Sequence, residues 1–586
     1  MAESSSATRK SRIRRASAYA LVLMSSMLVV VIGISALTTT RIQGRGAADL
    51  ESAAAARIAA RSAIELGMYM VRENPDWRAD LGNGAWKART TLGNAAFKID
   101  AEDPIDGNPA NNYDDPIVIK ATGTAGAATQ ALQATMTATR GNELLEVALH
   151  AQGELSITGP TVLSDQWFSS NLNCNALAGA SVFADVAVVG SVNGVTYHGL
   201  TRAGQAARPT INVTNVINAY TSSATVIDIA ALPAGNAEKT SNGGFENGTT
   251  GWTAVGSTTV ISTDAAKKKL GSFSLLVVGR TAASDGAAQD VTSAMRNQKP
   301  FTASAYFRRD GSTSIEGRIQ LAILHRPTPA SSIQTTTISG PTALAANSFV
   351  LVSGTITPAW TGTLVSASLR LNTVSGTESF FVDCVSLHRS DLTSDPYIEG
   401  VVLSPNNNPF GSRNALGLYL LDCQDQNLHI RDCRIFGTLV LLAPGSGTII
   451  ESSVAWHAAV SNYPALLTDG GMLISMTNTP LSESSVNVNF NPSGSPATYE
   501  GLGEDADIED SYPSRIHGLM MIGGDLSLGG RNDLHGVLLS SGAITIEGTR
   551  TDLTYDARYL NNPPPGFDDV IRTVEFQRGS FRPLTN

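Results

Sequence analysis

"HGLMMIGGDLSLGGRNDL" occupies residues 517–534, and "HGVLLSSGAITIEGTRTDL", residues 535–553, restates it. His517/His535, Gly518/Gly536 and Leu519/Val537 match at an offset of 18; Asp533-Leu534 and Asp552-Leu553 match at 19. "IRDCRIFG" from Ile430 and "IIESSVAW" from Ile449 share apolar positions at the same spacing. Short β runs with Gly-rich corners, repeating every 18–20 residues, are the pattern of a β-helix with one coil per repeat. A single coil cannot bury its own apolar side, so coils stack, and stacked positions keep similar residues because they meet similar surroundings. A propeller blade needs about 40 residues, and a leucine-rich repeat shows L-x-x-L-x-L. The reading predicts that Leu519, Met521, Val537, Leu539, Ile544 and Ile546 point into the solenoid. His517 and His535 then form a corner ladder, with a shared metal as the alternative.

Outward from the repeat, "ALHAQGELSITG" and "ASVFADVAVVGSVNGVTYHG" give residues 146–200 the same texture, so the β-helix is expected over 145–235 and again over 391–575. Composition agrees: charged residues are 16%, aromatics 6%, and glycine numbers 54, as stacked strands with tight turns require. The net charge is −10, although the first fifteen residues hold Arg9, Lys10, Arg12, Arg14 and Arg15 against Glu3. A basic stub on an acidic body argues against nucleic acid as a partner.

The stub, residues 1–15, precedes a charge-free stretch over 16–40, long enough to cross a ~30 Å hydrocarbon core as a transmembrane helix. Basic residues before it favour a cytoplasmic N-terminus and place the rest of the chain outside the cytoplasm. The alternative is a cleaved signal peptide, for which Thr38-Thr39-Thr40-Arg41 is a poor small-residue site. "GRGAADLESAAAARIAARSAIELGMYMVREN", residues 44–74, has mostly helical apolar spacing and should stop before Asn74-Pro75. Gly44 and Gly46 are the natural place for a bend. Strand-like runs start at Ala95, Pro116 and Gln130; in the last, Leu132, Ala134 and Met136 share a face. Residues 41–140 therefore read as a long helix on a small antiparallel sheet.

"RRASAYALVLMSSMLVVVIGISALTTTRIQ" followed by "ESAAAARIAARSAIELGMYMV" resembles the N-termini of PilX-type minor pilins and related pseudopilin-like proteins. The resemblance covers about residues 9–74, and loosely the sheet to residue 140. It departs from the main pilin pattern in having neither Gly-Phe-x-x-x-Glu at the span nor any acid within it. The section from "YPSRIHGLMMIGGDLSLGG" to "TYDARYLNNPPPGF" resembles the β-helical domain that follows such N-termini in envelope proteins. Between the two β-helical parts, "NGGFENGTTGW" from Asn242 and "SFFVDCVSLHR" ending at Arg389 frame a segment, 238–390, that resembles carbohydrate-binding jelly-roll modules of the CBM4/9 type. Alternation in "SFSLLVVG", "FTASAYFRR" and "SASLRLNT" fits sandwich strands.

That last resemblance implies a structural Ca²⁺ held by the acid of the first motif, Glu246, and the Asp of the last strand, Asp383. It also makes Trp252 a core residue. Tyr306 and Trp360 are candidates to stack on sugar rings. Carboxylates in the loops 102–115 and 503–512 are weaker Ca²⁺ candidates, without EF-hand spacing. There is no CxxC, which argues against a zinc site, and no G-x-S-x-G, H-E-x-x-H or P-loop, so catalytic residues are expected to be absent. Cys423 and Cys433 can pair only if adjacent strands bring them together.

The expectation is thus a mainly β protein. It has a transmembrane helix, a pilin-like helix and sheet, and a β-helix interrupted by a β-sandwich jelly roll. Functionally it reads as a single-pass inner-membrane component resembling minor pilins of a type IV pilus or type II secretion-like system, not an enzyme. Its expected partners are other pilin-like or secretion-system subunits, glycans and the inner membrane. The alternatives are an anchored carbohydrate-active enzyme on a β-helical scaffold and an adhesin unrelated to pili.

Overall fold

The computed structural model describes residues 7–74, 77–109, 115–139, 142–194, 196–326, 333–494, 503–567 and 573–584. The chain is mainly β and divides into two units, 1–141 with 571–586, and 142–570.

In the first unit one helix runs from Ala7 to Glu73. It continues through Gly44 and Gly46 without a break in secondary structure and stops where Asn74-Pro75 requires. From Ala18 it is long and apolar enough to cross a membrane, and that apolar stretch is exposed. Its second half is different: Ala56, Ala59, Ala60, Ala63, Ile64 and Met68 are buried against Phe97, Ile99, Ile119, Leu132, Ala134 and Met136 of an antiparallel sheet. Small helix residues allow a close approach; a Cβ at Gly123 would lie 2.0 Å from the Ala56 carbonyl oxygen. The expected strands are Ala95–Glu102, Ile117–Ala125 and Ala128–Thr139. Three more join the sheet: Gly84–Leu92 on one edge and, from the far end of the chain, Thr573–Phe576 and Arg582–Pro583, both paired with Ala128–Thr139. Residues 573–575 therefore pair with this sheet and do not continue the stack of parallel strands, correcting the expected limit at 575.

The second unit holds two long parallel sheets. The repeat that opened the sequence lies in register within them. Ile516 pairs with Leu534, Met520 with Leu538 and Leu526 with Ile544. The order along the stack differs from the order along the chain. Leu538 pairs onward with Leu149, Ile544 with Leu155 and Thr551 with Val162, so the first repeats follow the last ones. The first segment runs out to Thr201–Arg202 at one edge, and the chain re-enters at the opposite edge with Thr225–Ile227, paired to Leu418–Asp422.

The six side chains expected in one interior separate into two groups. Ile544 and Ile546 lie between the sheets with Met520, Leu538, Leu149 and Leu526. Leu519, Met521, Val537 and Leu539 are equally buried but on the opposite face of their sheet. There they pack under Val216, Ile217 and Tyr220 of the helix Val213–Thr221, and under Tyr559 and Phe567. Asn212 caps that helix by accepting from the Asn215 amide at 3.1 Å. His457, His517 and His535 form a ladder on adjacent parallel strands, ring centroids 5.1 and 5.9 Å apart. All four cysteines are free, and Cys423 and Cys433 are buried between the sheets without bonding each other.

Candidate functional site

Between the two parts of the parallel stack the chain forms an antiparallel sandwich. One sheet is built on Trp252–Val255, Gly286–Asp290, Leu364–Thr373, Glu316–His325 and Gln334–Thr337, with Thr342–Ala343 at its edge. The other is built on Val260–Asp264, Ser274–Val278, Phe380–Arg389, Phe301–Arg309 and Val350–Ile356. Alternation sends Leu369, Leu371, Ile319, Leu321, Phe307, Phe380 and Val382 into the shared core. Trp252 joins them, 5.5 Å from Phe245, as the resemblance implied.

The same alternation turns a polar set outward on the first sheet. Register places Thr337, Gln320, Arg370 and Ala288 in one row across four strands, with Arg318 beside Asn372 in the next. Arg318 Nε donates to Asn372 Oδ1 at 2.7 Å, and Asn372 Nδ2 donates to Gln320 Oε1 at 2.8 Å. Arg370 Nε donates to Ser368 Oγ at 3.4 Å. Burial lowers the basicity of Arg318, yet both guanidiniums remain half-buried and keep further N–H groups for a ligand. Gln320 and Asn372 form the buried floor. Trp252 is the one Phe, Tyr or Trp in these strands, and it faces the core. Among the described residues of these strands, the face offers hydrogen bonds and positive charge without an outward Phe, Tyr or Trp ring.

The expected sugar-stacking residues lie elsewhere. Trp360 is 5% exposed and sits in the sandwich core. Its Nε1 donates to the Ser484 carbonyl at 3.2 Å, where the sandwich packs on the segment after strand Leu481–Ser482. Neither ring face is open to a sugar, which corrects its expected role. Tyr306 is half-buried on the outer face of the second sheet, and the Lys269 ammonium lies 4.7 Å from its ring centroid. That cation occupies the surface a sugar would stack on.

Glu246 and Asp383 are brought to one loop. Asp383 is fully buried; its Oδ2 accepts from the amides of Lys269 at 2.7 Å and Leu270 at 3.0 Å, and its Oδ1 from Cys384 N at 2.7 Å. Glu246 Oε1 accepts from the amides of Ser272 at 2.8 Å and Phe273 at 3.2 Å. Five N–H groups thus converge where Ca²⁺ would need oxygen atoms at 2.3–2.6 Å. The loop's own lysines, 267–269, add positive charge nearby. The donor set fits a loop clamp better than a metal cage.

A groove of about 520 Å³ runs where the sandwich meets the parallel stack, lined by Lys299, Asp432, Ser452, Ser453 and Thr477 among others. Asp432 is the one carboxylate among its described lining residues. It accepts from Ser452 Oγ at 2.6 Å and lies 3.5 Å from Arg431 Nε, an anchored group without a carboxylate partner across the groove.

The polar rows were missed in the sequence because sugar sites were sought at aromatic residues. Their signal was present: "RIQ" and "LRLN" place polar groups at alternate positions of two neighbouring strands.

Residues 237–377 match the family model of a carbohydrate-binding domain of the CBM4/9 type. Solved structures similar to the chain include the CBM22-1 xylan-binding domain of Paenibacillus barcinonensis Xyn10C, with 20% identity over 27% of this chain and 96% of that one, TM-score 0.24. Another is the CBM22-1–GH10 portion of Clostridium thermocellum Xyn10B complexed with xylohexaose, with 17% identity over 33% of this chain and 38% of that one, TM-score 0.24. No curated protein matches the chain.

Proposed function

We propose that the chain is a membrane-anchored glycan-binding protein of the cell envelope. The long apolar helix is its anchor, the parallel stack a β-helical scaffold, and the sandwich the part that holds the glycan. The observation that carries this reading is the polar double row of Arg318, Gln320, Arg370 and Asn372 on an outward sheet face, within residues that match a carbohydrate-binding family model. Sugar hydroxyls both donate and accept, so an amide floor beneath two guanidiniums suits them. Charge-assisted donors add affinity for carboxylated or sulfated sugars.

Within this proposal the first unit plays the part of a minor-pilin-like or pseudopilin-like subunit. A long helix with its apolar half exposed and its alanine-rich half on an antiparallel sheet supports that reading. So does the sequence resemblance. The absence of an acid in the span argues for an anchor that stays in the inner membrane over ordinary filament packing. Calcium at Glu246 and Asp383 remains the competing reading of the loop clamp. It predicts that Ca²⁺ raises the thermal stability of the full chain and that Asp383→Asn abolishes the rise, whereas the clamp predicts no Ca²⁺ response from these residues.

The test is calorimetric titration of the full chain in detergent with xylo-oligosaccharides and oligouronates, alongside fractionation. Saturable binding by an intact membrane-bound chain is expected. A soluble chain cut near residue 41, or no binding to either class, would overturn the proposal. Cleavage of the bound oligosaccharide would favour the enzyme alternative.

A further inference from the structure

The loop between strands Ala95–Glu102 and Ile117–Ala125 belongs to the first unit and shares no residue with the sandwich site. Asp103, Asp106 and Asp115 each bring one carboxylate oxygen into a group whose members lie within 4.8 Å of one another. Asp103 is 4% exposed and Asp115 9%, while Asp106 is open to solvent. The loop is held in this shape from below. Asp103 N donates to Asn83 Oδ1 at 2.7 Å, Ile105 N to Asp103 Oδ1 at 2.8 Å, and Asn108 N to Asp106 Oδ1 at 2.9 Å.

Asp103 Oδ2 stands apart from these contacts: it is buried and has no hydrogen-bond partner. An ionised carboxylate oxygen removed from water without a partner is strongly unfavourable. Two more carboxylates beside it add repulsion. The positive charge at hand is Arg78, whose guanidinium is buried, donates to the carbonyl oxygens of Pro109 at 3.0 Å and Asp115 at 2.7 Å, and lies over the Trp77 ring.

We infer that this loop binds one divalent cation, and that the cation is Ca²⁺. Ligand oxygens 2.3–2.6 Å from a shared ion lie up to about 5 Å from each other, which matches the observed separation. Ca²⁺ accepts irregular all-oxygen sets of carboxylates and loop carbonyls, whereas Mg²⁺ keeps several waters and near-octahedral geometry. A site with one fully dehydrated carboxylate oxygen favours the former. The bound ion would pin the loop to the sheet and the helix end.

The test uses the full chain in detergent, stripped with a chelator and titrated with CaCl₂ and separately with MgCl₂ by calorimetry. One Ca²⁺ per chain is expected here, with Mg²⁺ at least tenfold weaker. Asp103→Asn should abolish binding, and Asp106→Asn, an exposed change that leaves folding intact, should weaken it at least tenfold. Glu246→Gln and Asp383→Asn should leave this event in place, separating it from the sandwich loop. No Ca²⁺ binding by the wild type, or an isotherm unchanged in Asp106→Asn, would overturn the inference. Equal affinity for Mg²⁺ would overturn the assignment to Ca²⁺.

Discussion

Two sheets in the second unit obey the same alternation and treat their outward faces in opposite ways. In the parallel stack, "LMMI" over 519–522 and "VLL" over 537–539 are apolar without interruption, and both faces of that sheet are buried. In the sandwich, "SASLRLNT" over 366–373 alternates, and its outward face carries Arg370 and Asn372. A sheet apolar on both faces must be covered, and the helix Val213–Thr221 with Tyr559 and Phe567 covers it. A sheet polar on one face can leave that face open to a ligand. Reading the second face is thus a way of finding where a β protein is scaffold and where it is surface.

The largest effect expected from this contrast is at Leu539. Leu539→Asp would bury a charge beneath the helix cover and should destabilise the chain by several kcal/mol, as much as Leu538→Asp between the sheets. Denaturant unfolding of the full chain checks it; a cost below ~1 kcal/mol would mean that the outer face of the stack is not sealed.

A smaller loss is expected at the repeated His-Gly step. Gly536 has φ +144° and a Cβ there would lie 2.1 Å from the Gly518 carbonyl oxygen on the neighbouring strand. Gly536→Ala should cost about 1–3 kcal/mol, through left-handed backbone and a clash that only the ladder can relieve. An unchanged melting temperature would show that the glycine is a relic of the repeat rather than a requirement of stacking.

Acid should separate the two regions next. Burial, then the neighbouring His517, pushes His457 down to about 4, and burial, then Arg208, pushes His150 down to about 3, from 6.5 in each case. The folded state then holds fewer protons than the unfolded one. This contribution to stability is full above pH 6.5 and is lost as pH falls through 6.5 toward 4. His457→Gln should flatten that slope in unfolding experiments between pH 7 and 4. A slope unchanged by the substitution would remove the ladder from the account.

The least effect on stability is expected on the open face, where Arg370→Ala should change unfolding by no more than about 0.5 kcal/mol. A larger loss would make the arginine part of the fold and not of a binding surface.

What could be read in the sequence follows the same division. The 18-residue offset gave the strands and their ladder pairing because each stacked position repeats its neighbour. The second buried face was also legible, since uninterrupted apolar runs mark strands covered on both sides. Such runs do not say which side chain faces which side, and Leu519, Met521, Val537 and Leu539, expected inside, lie on the outer face of their sheet. The joining of Leu149 to Leu538 could not be read, because similar repeats do not state their order. "TVEF" at 573–576 is too short to declare itself a strand of the first unit. In the sandwich the framing motifs located the module and the clamp residues Glu246 and Asp383. Trp360 misled because an aromatic residue near a loop can as well be core, and Arg318 and Arg370 were passed over because no ring accompanies them.

The most direct measurement is calorimetric titration of the full chain with the oligosaccharide that binds best, comparing two faces of one sandwich. The Arg318→Ala/Arg370→Ala double variant should lose at least tenfold in affinity with its melting temperature preserved, while Tyr306→Ala should stay within twofold of wild type. Affinity retained in the double variant and lost in Tyr306→Ala would place the ligand on the opposite sheet and contradict the account.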